Sequence, residues 1–192
     1  MDLEKKKIDL RIVKTKKSLY EALLSLMEQE AFEEIKVSEI CTLAMVNRST
    51  FYAHFEDKYT LLDALIKDLK EELSEELEKN HNISNTKEYY MEVIRLLLDH
   101  VEEQERFYMP ILVHNRNSIA MDMIYDTLNE DITKRMEIER LNPYKDVPSE
   151  FVSRFYLGAV FNLGMEWIKN QKYSRADLLH YLDVLIPENP SC

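Results

Sequence analysis

Within eleven residues the chain sets out Arg48, Ser49, Thr50, Tyr52, His54 and Lys58: three hydroxyls, one imidazole and two long cations. Groups of this kind hydrogen-bond to phosphate oxygens and to the edges of nucleobases. Phe51 and Phe55 lie among them, four residues apart, and share one side of any helix formed there. With that side turned inward, a helical wheel sends Ser49, Thr50 and Ala53 outward and leaves Tyr52 and His54 on the flanks. The outward residues are small, so the helix backbone can sit deep in a groove. Arg48, Ser49 and Thr50 in the first turn are then the candidates for base edges. Tyr52, His54 and Lys58 suit phosphate oxygens, as does the unpaired backbone at the start of the helix that Lys58 opens.

Several elements must hold these groups in place. Ile40, Leu43 and Ala44 make one face of a short helix that can receive the two phenylalanines together with Val46. Met45, Val46 and Asn47 form the turn, with Asn47 as N-cap of the helix over 48–55. Upstream, Ile12, Leu19, Ala22, Leu23, Leu26 and Met27 recur at helical spacing and predict a supporting helix over 11–28. Downstream, Asp57 can cap a long helix whose apolar stripe runs Leu62, Leu65, Ile66, Leu69, Leu73, Leu77. A supporting helix and two short helices about a tight turn are the unit that presents a recognition helix to a major groove.

The stretch 40–58, ICTLAMVNRSTFYAHFEDK, resembles the N-terminal domain of the TetR/AcrR (tetracycline-repressor-like) family. The residues carrying the resemblance are Ile40, Ala44, Val46, Asn47, Arg48, Thr50, Phe51, Tyr52, His54, Phe55 and Lys58, and the match extends over roughly residues 11–62. It implies that Tyr52, His54 and Lys58 touch the DNA backbone and that the start of the recognition helix, Asn47 to Thr50, reads bases. The family turn usually carries Gly where this chain has Met45, and a positive φ there strains any residue with a Cβ.

The remainder reads as helix throughout. Two glycines and five prolines in 192 residues leave few breakers, so an all-α chain with short connections is expected. Helices are predicted over about 87–104, 106–115, 118–140, 150–170 and 175–186, about nine in total. Asn142-Pro143 and Val147-Pro148 separate two of them, and Pro110 suggests a kink that could border a pocket. Ser149 and Ser174 stand at N-cap positions, with Asp177 at capping-box spacing from Ser174. The tail from Pro187 is expected to be disordered. A DNA-binding domain over 1–58 and a dimerisation and effector domain over 59–192 follow, the helix over 57–80 linking them.

The family resemblance implies a homodimer formed by the last two helices. Leu157, Gly158, Phe161 and Met165 on one, with Leu178 and Leu182 on the other, are the candidates for that seam, and Trp167 could fill it. Burial of Leu157, Phe161 and Trp167 in the subunit core is the equal alternative. Two recognition helices about 34–36 Å apart require a near-palindromic duplex. The family commonly releases DNA when a small molecule enters the C-terminal domain. Tyr89, Tyr90, Phe107, Tyr108, Met121 and Tyr125, joined by Met91, Met109 and Met123, could line such a pocket or simply form core. Repression relieved by an effector is the family default. An adaptor or activator controlled by a protein partner stays open beside it.

Charge and composition bound these readings. The formal net charge is −11, yet residues 1–17 carry seven Lys or Arg against three acids, a net of +4. Residues 59–192 carry 15 basic and 25 acidic side chains, so the acidity is remote from the motif. Five scattered histidines (His54, His81, His100, His114, His180), and no Cys-x-x-Cys, Gly-rich phosphate loop or Gly-x-Ser-x-Gly, argue against an enzyme and against a metal or other cofactor. No apolar run approaches the roughly 18 residues of a membrane span. Two cysteines, Cys41 and Cys192, suggest no disulfide framework and fit the cytoplasm.

Overall fold

A computed structural model describes residues 10–79, 86–103, 112, 114–138, 142, 144–170 and 172–186. Eight helices are present among them: α1 (Leu10–Met27), α2 (Val37–Leu43), α3 (Arg48–His54), α4 (Lys58–Lys79), α5 (Thr86–Glu103), α6 (Ile119–Ile138), α7 (Ser149–Asn170) and α8 (Arg175–Leu185). The chain is all-α, as its composition requires. The predicted helix over 106–115, with Phe107, Tyr108, Met109 and the kink at Pro110, falls largely outside the described residues, as does the tail from Pro187. No described helix is long and apolar enough to cross a membrane.

Two hydrophobic cores organise the molecule. The first gathers Leu19, Leu23, Met27, Phe32, Ile35, Ile40, Phe51, Leu61 and Leu62, all essentially inaccessible to solvent. It binds α1, α2, α3 and the first half of α4 into one unit, and burial of Phe32 and Phe51 contributes roughly 2–3 kcal/mol each. The second core joins Tyr90, Met91, Ile94 and Leu98 of α5, Ile132 and Met136 of α6, Val152 and Leu157 of α7, and Leu178 and Leu182 of α8.

Two helices belong to both regions. The predicted link, α4, places Leu61, Leu62 and Ile66 in the first core and reaches Leu77 beside Tyr89 at its far end. The second link, α6, is not evident from the sequence pattern. Its first turns put Ala120, Met123 and Ile124 against the first core, while its last turns put Ile132 and Met136 in the second. Met123, a candidate pocket residue by sequence, is thus a packing residue of the N-terminal unit.

Helix ends follow the local chemistry. Ser174 caps α8 with a reciprocal pair: its Oγ accepts from the Asp177 amide at 3.1 Å, and the Asp177 carboxylate accepts from the Ser174 amide at 3.1 Å. The turn between α7 and α8 is closed by the Trp167 indole, which donates to the Tyr173 carbonyl at 2.7 Å. Arg175 anchors α8 to α5 through Asp99 and Glu102. Trp167 therefore locks the hairpin of α7 and α8 within the chain.

Candidate nucleic-acid interface

The α2–turn–α3 unit is built around a sharp reversal. The chain leaves α2 through Ala44 and turns at Met45, where φ is +54°, the one positive value at a non-glycine position among the described residues. A Cβ in this region costs about 1–2 kcal/mol. The conformation persists because the Val46 amide bonds back to the Cys41 carbonyl at 2.9 Å and Val46 packs on the first core. Met45 itself is 94% exposed, so its side chain contributes almost no burial to offset that strain.

Asn47 stands at the N-cap of α3 with extended backbone (φ −71°, ψ 144°), and the Phe51 amide bonds to its carbonyl at 3.0 Å. Its side chain makes no capping bond and is exposed, which leaves the amide group available to a ligand. Phe51 is fully buried, Phe55 nearly so, and their rings stand 5.9 Å apart. That anchoring fixes the rest of the helix. Arg48, Ser49, Tyr52 and Ala53 are exposed, while Thr50 and His54 are half-buried. Tyr52 leans edge-on against Phe51 at 5.4 Å, so its ring is steadied by the core although more than half of it faces solvent. The structure thus brings Asn47, Arg48, Ser49, Thr50, Tyr52 and His54 onto one short helix end and face.

Leu43 departs from the expectation that it receives the phenylalanines, for it is 47% exposed. α2 is only two turns long, and its inward face is centred between Ile40, Cys41 and Ala44, which turns Leu43 away. Cys41 takes the place expected of Leu43.

Lys58 also departs from its expected role. Its Nζ donates to the carbonyls of Phe32, Glu33 and Ile35 at 2.8, 2.6 and 2.8 Å, and it lies 4.9 Å from the centre of the Phe32 ring. An ammonium has three N–H donors, and here all three are taken by the loop between α1 and α2. Partial burial pulls the ammonium below the usual lysine range, while nearby glutamates, Glu33 foremost, oppose the shift. Lys58 ties the supporting helix to the base of α4 and does not reach outward to phosphate. The backbone at its own position remains suited to an anion. Asp57 caps α4 by accepting from the Thr60 amide at 2.8 Å, and the Lys58 and Tyr59 amides lie in a first turn where no intrahelical acceptor exists.

Among the described residues, the candidate effector side chains meet different partners. Tyr89, with Leu77, Val93, Leu97 and Leu128, borders a cavity of about 30 Å³ whose rim carries the Lys70–Asp131 ion pair at 2.8 Å. That is room for about one water, against the several hundred Å³ of a typical ligand site. Tyr90 instead donates to the Met136 Sδ at 3.1 Å in the second core. Tyr125 crosses to α7, where its hydroxyl donates to the Arg154 carbonyl at 3.0 Å and its ring meets Phe161 edge-on at 5.9 Å. Met121 is buried. Phe107 and Tyr108 lie outside the described residues.

The candidate dimer residues are on the expected helices, three of them buried within the subunit and three half-buried. Leu157, Leu178 and Leu182 are buried in the second core. Gly158 faces Tyr125, where an added Cβ would stand 3.4 Å from the tyrosine oxygen. Phe161 and Met165 are half-buried. The exposed apolar surface is elsewhere: Phe151 (66% exposed), Phe155 (64%) and Leu163 on α7, and Tyr181, Val184 and Leu185 on α8. α7 carries apolar residues around most of its circumference, so periodicity alone could not select the face that α5 and α6 would cover.

Comparison with known proteins agrees with this geometry. The sequence profile described as bacterial regulatory proteins, tetR family, matches residues 19–65, and one described as a transcriptional regulator C-terminal region of that family matches 88–188. The HTH-type dhaKLM operon transcriptional activator DhaS of Lactococcus lactis is 26% identical over 157 residues, covering 80% of this chain and 79% of DhaS. A TetR transcriptional regulator from Streptococcus agalactiae superposes with a TM-score of 0.63 at 28% identity, covering 92% of this chain and 96% of that one. Lin0861 of Listeria innocua superposes with a TM-score of 0.67 at 22% identity over 96% and 94% of the two chains.

Proposed function

The chain belongs to the TetR family of bacterial transcriptional regulators, and from that premise we propose that it binds a near-palindromic DNA duplex as a homodimer. The observation that carries the reading is α3. Its inner residues Phe51 and Phe55 are locked in the core, and its outer face offers Ser49, Thr50 and Ala53, with Arg48 in the first turn and Tyr52 and His54 on the flanks. Asn47, Arg48, Ser49 and Thr50 enter the major groove. Tyr52, His54 and the first-turn amides of α4 hold the phosphates on either side. The division of labour falls near residue 58, with α4 linking the DNA-binding unit to the C-terminal body.

The exposed faces of α7 and α8 support the dimer. Phe151, Phe155 and Leu163 on α7, and Tyr181, Val184 and Leu185 on α8, are exposed apolar side chains, and a second copy covers them. Repression relieved by an effector in the C-terminal body is the first reading of the sign. A second reading, activation under control of a protein partner, has one observation in its favour: the Lactococcus lactis relative is an activator.

Selection of binding sites from a random duplex pool at about 0.15 M salt tests the proposal. An enriched near-palindrome is expected, with affinity falling about tenfold on Tyr52→Ala or His54→Ala, or roughly 1.4 kcal/mol. A folded dimer that enriches no sequence overturns it. Transcription in vitro from a promoter carrying the selected site then decides between repression and activation.

A further inference from the structure

The loop over 31–35 is held from two sides. From α4, Lys58 takes three of its carbonyls. From the C-terminal body, Asn115 reaches it across more than 80 residues of sequence: its Oδ1 accepts from the Phe32 amide at 2.7 Å and its Nδ2 donates to the Met27 carbonyl at 3.0 Å. Asn115 is fully buried. Beside it, the Glu33 carboxylate accepts from the Ile119 amide at 2.7 Å. Ile119 is the first residue of α6, so a side chain of the N-terminal unit caps a helix of the C-terminal body. A carboxylate at that end is favoured by the helix dipole as well as by the hydrogen bond.

We infer that Glu33 and Asn115 are positioning residues that clasp the loop over 31–35 to the start of α6 and thereby set the orientation of α3 relative to the C-terminal body. The loop joins α1 to α2, and α2 carries α3 through a turn with little slack. α6 in turn runs unbroken from Ala120 in the first core to Met136 in the second. A shift of α6 along its axis must therefore either break the clasp or draw the loop with it. The clasp deepens the DNA-binding reading and rests on it for its consequence, though the contacts themselves do not.

Glu33 is exposed, so Glu33→Ala removes one arm without opening a cavity. Glu33→Gln keeps an oxygen that can accept from Ile119. Amide hydrogen exchange on the full chain is measured first. Glu33→Ala is expected to speed exchange across residues 37–54 while α7 and α8 keep wild-type rates, and Glu33→Gln to restore protection. The same proteins are then titrated with the duplex selected by wild type and with a scrambled duplex. Affinity for the selected duplex should fall about fivefold or more in Glu33→Ala, within the usual range of coupling between sites, and the scrambled duplex should bind unchanged. Wild-type exchange across 37–54 in Glu33→Ala overturns the clasp, as does equal loss on both duplexes. Should wild type select no duplex, the DNA-binding reading fails while the exchange measurement still judges the clasp. Asn115→Leu, which leaves the Phe32 amide unpaired, provides the stronger variant where it folds.

Discussion

The N-terminal unit and the C-terminal body are both helical, yet they relate to their own sequences differently. In the first, one pair of aromatic residues anchors a seven-residue helix, and every outward side chain follows from that anchor. In the second, α7 is 22 residues long and apolar on several sides, so the same residues could face α6, α5 or another molecule. Short helices with one apolar face have a single way to pack. Long helices with several apolar faces have more than one, and only their neighbours choose among them.

The largest effect that would break this contrast concerns the dimer. Replacing Phe151 and Phe155 together by Glu should weaken self-association by about 100-fold or more, roughly 2.7 kcal/mol, in sedimentation equilibrium, with the protomer still folded. Leu157→Ala should instead lower unfolding stability by about 2–5 kcal/mol and leave association of the folded protein intact. The opposite pairing of results would mean that the inward and outward faces of α7 have been exchanged.

Within the N-terminal unit, Lys58→Met should destabilise by about 2–3 kcal/mol in urea unfolding, because three carbonyls lose a charged donor at once. A residue serving only as an outward phosphate contact would change DNA affinity and leave the urea midpoint where it was. Met45→Gly works in the other direction. It relieves the positive φ at the expense of backbone entropy, and a gain of about 0.5–1 kcal/mol is expected in the same assay.

The smallest effect lies in α8. Hydrogen bonds from the Ser174 side chain and backbone hold the Asp177 carboxyl below its ordinary range. A carboxyl lowered by folding stabilises the native state at pH above its unfolded pKa, and that contribution is lost as pH falls through the folded value. Amide protection at the start of α8 should therefore weaken as pH drops below about 4, and this step should be absent in Ser174→Ala. An identical acid profile in the two proteins would show that the cap does not couple to the carboxyl.

The all-helical class followed from the scarcity of glycine and proline. The helix-turn-helix followed from Phe51, Phe55 and the residues between them, because those contacts are local and their spacing is visible in one stretch of chain. The turn at Met45 was legible too, but its sign of φ was not: the resemblance raised strain there only as a condition, and the φ of +54° meets it. Tertiary structure decided what depended on distant partners. Lys58 shows a lone cation in sequence, and only the folded loop supplies the three carbonyls that take it inward. Asn115 and Glu33 lie 82 positions apart without a shared motif, so nothing local marks them as neighbours. Leu157 and Phe155 are two apolar residues on one helix, and the packing of α5 and α6 alone buries the first and leaves the second exposed. Local periodicity is written along the chain, whereas the choice among equivalent apolar faces is made by helices that meet only when the chain has folded.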